Sequence, residues 1–419
     1  MTRLPAVGRN KTRLIPALGA EGAMAFHSRL ARHAIGRASA FCLCGDGTRL
    51  EIRLTGGNTM EGRAWLGEAD WRIQGEGGLG ARMARAFETA FEEGAEKVVL
   101  IGTDCPRLDH QVLADAFAAL ERSDVVVGPA LDGGYYLIGM KRLWRGLFDG
   151  VAWGGPEVLS QTMGKAHELG LGCTRLVELP DVDLPEDLRD GEEALSKGES
   201  MSVIIPALNE EAEMAATLKA VKQDGPVEVL VSIGESRDDT RRIAEGMGAK
   251  VIEGRSSRAV QMNRAAALAR GETLMFLHAD TLPPPGYPEI VGSMLARPGV
   301  VAGAFRLGLD DGIGAAAMIE SLVDVRCRFL KTPYGDQGLF VRREVFDHLG
   351  GFPEVGAMED LKMVRELKRL GRMAIADERV LSSSRRWQEG GLIRTFLRHQ
   401  GMLAASSLGF SDELIEKMR

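Results

Sequence analysis

Two stretches of the chain present a lone carboxylate in the same setting. In LMFLHADTLPPP, Leu274 to Pro285, an apolar run ends at Asp280 and three prolines follow. In VVLIGTDCPRL, Val98 to Leu108, the run ends just before Asp104, and Pro106 follows. A short apolar run bounded by turn residues reads as a buried strand. Proline cannot continue a ladder. Each carboxylate is therefore expected at the carboxyl end of a buried strand, where open α/β sheets bind ligands. A carboxylate there, with His278 two residues away in the first case, suits a hard divalent cation that carries a phosphate. The plainer alternative is that each Asp only caps a turn. A third acidic feature, Glu359-Asp360, opens a helix expected over 361–370, where acids can be mere caps.

Cations and glycines supply the complementary chemistry. Gly8, Arg9, Lys11 and Arg13 crowd into a loop ahead of a helical pattern that begins near Gly22. Cations and free backbone N–H groups before a helix make a phosphate site, although a solvated basic terminus looks the same. A phosphate loop of this type normally follows a buried strand, and here almost nothing precedes it. Gln74 to Gly80 is glycine-rich and permits close backbone approach to a ligand. Asp132-Gly133-Gly134 gives a tight turn, and LPDVDLPEDL carries Asp181, Asp183, Glu186 and Asp187, where capping of the helix that follows Pro185 is the strong alternative. Farther on, GRSSRAVQMN leads Arg255 and Arg258 into a helix bearing Gln261 and Asn263.

The elements that must hold these residues alternate between strand and helix patterns, the grammar of mostly parallel α/β sheets. In the first half, strands are expected at Phe41–Cys44, Leu50–Leu54, Val98–Ile101, Val125–Val127 and Tyr135–Ile138. In the second half they are expected at Met201–Ile205, broken by Pro206, then at Val227–Ile233 and Val301–Leu309, with a helix over 315–329. With 419 residues the chain is too long for one ordinary core. The polar stretch GEEALSKGES predicts a linker at 191–200 between domains 1–190 and 201–419. Asp-Gly turn, apolar strand and basic residues recur in DGGYYLIGMKR and YGDQGLFVRREVF, so the halves read as variants of one plan.

Bulk composition excludes several classes. Hydrophobic residues are 45% and charged residues 26%, and the net charge is −7, unlike a general nucleic-acid binder. Five scattered cysteines argue against a disulfide framework and for a reducing compartment, with Cys42 and Cys44 expected on one strand face. No apolar stretch reaches the length of a membrane span and no signal peptide opens the chain, so a cytoplasmic location is expected. Leu392 to Arg419 alternates apolar and basic residues at helical spacing. That suits a packed helix, or one lying on the inner face of the plasma membrane or on a partner.

The motifs SVIIPALNEE, GRSSRAVQMN, FLHADT, YGDQGLFVRREVF, MEDLKMVRELKRLG and SSSRRW, in this order over 201–410, resemble the family 2 glycosyltransferases. The likeness is strongest to a bacterial branch associated with arsenosugar biosynthesis, although no residue here points to arsenic chemistry. The resemblance implies the nucleotide-diphosphosugar transferase (GT-A, Rossmann-like) fold and transfer of a sugar from a nucleotide-diphosphosugar to an acceptor hydroxyl. The acceptor would be a small molecule or a lipid, and the anomeric carbon would be inverted. Pro206, Asn209, Glu210, Asp238, Arg258, Gln261, Asn263 and Asp336 would lie about the donor. Asp280 would hold Mg²⁺ or Mn²⁺ on the diphosphate, and Asp360, with Glu359 beside it, would be the general base. Arg385, Arg386 and Trp387 would close over the diphosphate. This chain departs where family members end the second strand in Asp-Gly-Gly-Ser: here it reads Ile233-Gly234-Glu235-Ser236, so base recognition loses its usual carboxylate.

PAVGRNKTRLIPALG, GGLGARMARAF, LIGTDCPRL, GPALDGGYYLIGMKR and DVDLPEDL, over residues 3 to about 190, resemble a second bacterial family, also labelled glycosyltransferase, with a fold related to nucleotidyltransferases. This implies Gly8, Lys11 and Arg13 on phosphates, Asp104 and Asp183 on a metal, and Asp132 near substrate. Family members carry an apolar strand before the loop, so a central strand is expected to be missing here, through a start upstream or a degenerate domain. The whole is expected as two tandem domains of this fold. The first would make the donor or assist the second, or else only bind nucleotide and scaffold it.

Overall fold

The computed structural model describes residues 1–384 except 46, 226, 255–256, 311–315 and 356–357. The chain divides into Met1–Gly198 with Ala296–Gly299, and Glu199–Leu295 with the residues from Val300 onward. The division falls inside the stretch read as a linker, but that stretch is largely helical, over Leu188–Gly198. Gly191 and Leu195 are its buried residues. With a glycine standing at one of the inward positions, apolar side chains alone do not reveal the periodicity.

In the first unit, β1 (Thr2–Arg3), β2 (Glu51–Thr55) and β3 (Asp70–Ile73) form a parallel sheet in that order. A second sheet has the order β4 (Val98–Ile101), β6 (Tyr135–Met140), β5 (Val125–Pro129), β7 (Cys173–Arg175). In it β6 runs antiparallel to both neighbours. The Met1 ammonium donates to Ile101 O at 2.7 Å, which brings β1 beside β4.

Two expectations for this unit are corrected. A strand does precede the basic loop. It is only two residues long, but Thr2 and Arg3 pair in parallel with Leu54 and Thr55, and two residues are too few to show as an apolar run. Phe41 to Cys44 are not a strand but the end of a helix over Ile15–Cys44, interrupted at Gly19 by a backbone φ of 70°. Ala31, Ala34, Ile35 and Ala38 fall on one helical face and are buried, and that periodicity carries the helix through Cys42 and Cys44.

In the second unit the strands are β8 (Met201–Ala207), β9 (Glu228–Ile233), β10 (Lys250–Glu253), β11 (Thr273–Phe276), β12 (Thr281–Leu282), β13 (Val300–Leu309), β14 (Leu339–Arg342) and β15 (Arg372–Ser382). Their order across one sheet is β10-β9-β8-β11-β14-β13-β15-β12. The first four are mutually parallel, and β14 is antiparallel to both neighbours. Every residue of β8 is buried, as befits a parallel strand covered on both faces. The core packs Val203, Ile205, Val229, Val231, Met275, Phe305 and Phe340 together. Pro206 does not break β8. The strand continues to Ala207, with Pro206 opposite Ser232. β12 likewise rejoins the sheet immediately after Asp280, before the prolines lead the chain out. Both units have the expected architecture, mixed α/β with mostly parallel sheets flanked by helices.

Candidate active site

In the second unit β8 has β9 on one side and β11 on the other. A parallel sheet whose connections diverge from a central strand opens a crevice at the carboxyl ends of the strands. The loops leaving β8 and β9 are cross-tied there. Asn209, in the left-handed region at φ 54°, donates its N–H to the Ser236 hydroxyl oxygen and accepts Arg237 N–H at its side-chain oxygen, 3.0 and 2.8 Å. Glu210 N–H donates to Thr240 Oγ1 at 2.8 Å, and Glu211 N–H to Asp238 at 3.1 Å. Partial burial pushes the Asp238 carboxyl up, but hydrogen bonds from the Thr240 hydroxyl and from the Glu211 and Thr240 N–H groups outweigh it. They hold Asp238 below the usual aspartate range.

A cleft beside this crevice is lined by Pro206, Arg258, Met262, Phe276, His278, Gly335, Phe352, Glu359 and Asp360, among others. Asp360 stands in the first turn of the helix Glu359–Leu370. Its Oδ2 accepts Gly335 N–H at 2.7 Å and its Oδ1 accepts Leu361 N–H at 2.8 Å, so both oxygens are aimed by backbone donors. Gly335 is held close: a Cβ there would lie 3.0 Å from His278 Nε2 and 3.3 Å from Asp360 Oδ2. Glu359 is buried, with Arg258 Nη1 at 3.6 Å. Asp280 is 5% exposed, and its carbonyl accepts Ser383 N–H at 3.0 Å. Asp336 lies in the turn that begins at Gly335.

The turn is built on Gln337, which is fully buried. It donates to Phe305 O and accepts from Tyr334 N–H and from Arg326 Nη2, at 2.9, 3.1 and 3.0 Å. The Arg326 guanidinium also lies 3.6 Å over the Tyr334 ring. Neither Gln337 nor Arg326 was singled out from the sequence. The signal lay in position: Gln337 follows the Gly335-Asp336 turn directly.

Not every expected residue joins the cleft. Asn263 spends its carboxamide on the Phe352 peptide, accepting its N–H and donating to its carbonyl, each at 2.8 Å. It clamps a wall of the cleft rather than facing into it. Gln261 is buried, with Ala207 O at 3.5 Å. Arg385, Arg386, Trp387, Arg255 and the segment from Leu392 lie outside the described residues.

In the first unit the expected groups meet differently. Lys11, at φ 44°, drives its ammonium between Asp104 and Asp183, 2.7 Å from each, and donates to Val182 O at 2.7 Å. Burial disfavours its charge, but the two carboxylates overcome this and raise it above the ordinary lysine value. Asp104 therefore holds a lysine where a metal was expected, because the loop after β1 folds back over the end of β4. Arg13 reaches Asp183 at 3.8 Å, and Gly8 is exposed with φ 72°. Among the described residues, Asp132, Asp181 and Asp183 can bring one oxygen each within 4.8 Å of the others. Asp181, to which the sequence assigned no ligand role, is pushed up to about 6, first by burial and then by the charge of Asp132 and Asp183. The helix cap at this bend is Asp187, which accepts the N–H groups of Asp183 and Leu184 at 3.0 and 2.8 Å. That leaves Asp183 free of the capping role.

Residues 202–350 match the family model for glycosyl transferase family 2, and residues 44–155 match one described as an uncharacterized protein conserved in bacteria (DUF2064). Glucosyl-3-phosphoglycerate synthase of Mycolicibacterium paratuberculosis is 31% identical over 144 residues, covering 30% of this chain and 44% of that protein. The protein of that name from Mycobacterium tuberculosis is 30% identical over 122 residues, 26% of this chain and 38% of that one. The chain thus spans less than half the length of these curated relatives. A crystal structure of the M. tuberculosis synthase with Mn²⁺, UDP and glucosyl-3-phosphoglycerate is 23% identical. It covers 53% of this chain and 84% of its own at a TM-score of 0.39.

Proposed function

We propose that the second unit is a glycosyltransferase that moves a sugar from a nucleotide-diphosphosugar to an acceptor hydroxyl, with inversion. The observation that carries the reading is the convergence of Pro206, Arg258, His278, Gly335, Glu359 and Asp360 on one cleft at the strand ends, within and just beyond the family 2 match. Asp360 is the general base: it takes the acceptor proton as the acceptor oxygen bonds to the anomeric carbon and the bond from that carbon to the diphosphate breaks. The N–H groups of Gly335 and Leu361 keep its carboxylate aimed. A single base on one face of the sugar gives inversion, and such a base contributes about 10²–10⁴-fold. Arg258, steadied by Glu359, offers guanidinium donors to the diphosphate. Pro206, Asn209, Glu210, Asp238 and Gln261 form the nucleotide side, and Asp336 the sugar side.

A divalent cation fits Asp280, a hard-oxygen ligand 5% exposed at a strand end with His278 two residues away. Mg²⁺ or Mn²⁺ there would supply charge neutralisation on the leaving diphosphate. The mycobacterial synthase in complex with Mn²⁺ and UDP supports the same choice of cofactor and donor class. One carboxylate makes a weak site without nucleotide, so metal and nucleotide sugar should bind together. A thermal-shift panel of nucleotide sugars with and without Mn²⁺ tests this. The expected result is a joint stabilisation of about 2.7 kcal/mol at a hundredfold excess over Kd, and no stabilisation by any nucleotide sugar overturns the reading.

For the first unit the reading is a nucleotide-binding domain related to nucleotidyltransferases, with Gly8, Lys11 and Arg13 about phosphates and Asp132, Asp181 and Asp183 as the acidic group for a metal. The pairing of Lys11 with Asp104 and Asp183 favours a second reading, in which the unit supports the transferase without turnover of its own. An activity of the full chain that releases pyrophosphate from a nucleoside triphosphate and a sugar phosphate, lost in Asp183→Asn, would decide for the first.

A further inference from the structure

The helix Ala316–Leu330 carries an apolar stripe on its outward side. Met318, Leu322, Val325, Phe329 and Leu330 are 54, 42, 54, 76 and 60% exposed. The first four follow at intervals of four, three and four, which sets them along one helical face. Among the described residues, the other large exposed apolar side chains are scattered singly along the sequence, and single ones need no explanation, but a row does.

The charges are sorted around this row. The two acids of the helix are turned away from it. Glu320 accepts Leu309 N–H at 2.9 Å and meets Arg379 at 3.3 Å. Asp324 is bound by Arg306 and Arg379. The exposed charged residues at the end of the stripe, Arg328 and Lys331, are both cations, and Lys368 joins them by donating to Leu330 O at 2.6 Å. In a chain of net charge −7 this is a local basic cluster at one end of an apolar ridge.

We infer that this face docks on the surface of an anionic lipid bilayer. The apolar row enters the boundary between headgroups and acyl chains, while Arg328, Lys331 and Lys368 meet lipid phosphates. A second copy of the chain fits the face poorly: a parallel two-fold contact sets the same cations against each other, and an antiparallel one offers them no free acid on the helix, because Glu320 and Asp324 are already bound by Leu309, Arg306 and Arg379. The docked helix also supplies Arg326, which stacks on Tyr334 beside the Gly335–Asp360 contact. Docking does not rest on the transferase reading; that reading gains from it a lipid-borne acceptor.

The test is cosedimentation of the full chain with phosphatidylcholine vesicles, with and without phosphatidylglycerol. The expected result is binding only to vesicles that contain phosphatidylglycerol, weakened about tenfold or more by Arg328→Glu with Lys331→Glu, and abolished by Leu322→Ser with Phe329→Ser. Met60→Ser, which removes an equally exposed apolar residue elsewhere, should change nothing. All these side chains are exposed, and an unchanged melting curve shows that the variants fold. Binding to neither vesicle, equal binding to both, or ridge variants that bind like the parent overturns the inference. So does a dimer by light scattering that the ridge variants make monomeric. Because vesicle binding is read without turnover, failure here and failure of the transferase reading are separate results.

Discussion

Asp104 and Asp280 share one local grammar, an apolar strand that ends in a lone carboxylate before proline, and the two units use them differently. After β4, Asp104 pairs with Lys11 from the loop that follows β1. After β11, Asp280 is buried at the strand end, and the neighbouring cleft collects His278 from the same segment, Arg258 from a second and Glu359 and Asp360 from a third. The difference lies in what the first loop of each unit carries. Lys11 reaches across to the carboxylate, whereas the loop after β8 carries Asn209 and Glu210, which tie instead to Ser236, Arg237 and Thr240. The same strand end carries an internal ion pair in one unit and a buried carboxylate next to a cleft in the other.

The contrast is broken most directly by substituting the carboxylates. Asp360→Asn should lower sugar transfer by about 10²–10⁴-fold in kcat, while Asp104→Asn leaves transfer unchanged. An equal loss from both would erase the distinction between the units. Next in size, chelation or Asp280→Asn should cost on the order of a hundredfold, with Mn²⁺ restoring the chelated parent but not the variant. Full activity in excess chelator would remove the metal from Asp280.

A smaller effect sharpens the first unit. Lys11→Met leaves Asp104 and Asp183 without their shared cation and should destabilise the chain by about 1–3 kcal/mol in urea unfolding. Combined with Asp104→Asn, the two losses should be clearly less than additive, and strict additivity would show that the pair carries no coupling.

The smallest effect is a titration. Asp181, pushed up to about 6, holds its proton in the folded chain at pH values where the unfolded chain has released it. Its contribution to stability is therefore present below the ordinary aspartate range, falls as pH rises toward about 6, and is flat beyond. The difference in unfolding midpoint between the parent and Asp181→Asn, followed from pH 4 to 7, should show this slope. Asp132→Asn or added Mg²⁺ should shift the titration of Asp181 downward. A titration of Asp181 at the ordinary aspartate value would dissolve the acidic group as a candidate site.

Much of this was legible in the sequence, for identifiable reasons. Runs such as Val98–Ile101, Met201–Ile205 and Leu274–Leu277 are apolar on consecutive positions because parallel strands are covered on both faces, so the strands and the residues at their ends could be read locally. The Gly335-Asp336 turn and the acids at 359–360 were visible for the same reason. The errors came where the local signal was weak or shared. Two residues of β1 leave no pattern, the Ala-rich end of the first long helix resembles a short apolar strand, and a glycine in the buried face of Leu188–Gly198 hides its periodicity.

By itself, then, the chain's order of residues determined the α/β class, the two-unit plan and which carboxylates would stand at strand ends, because burial and turn chemistry act over a few neighbouring positions. Only the tertiary structure decided that Lys11 closes on Asp104 and Asp183, that Asn263 clamps Phe352, and that Gly335 aims Asp360. Each of these joins groups at least 25 residues apart. Such pairings depend on which loops the sheet order brings side by side, and no local pattern encodes that.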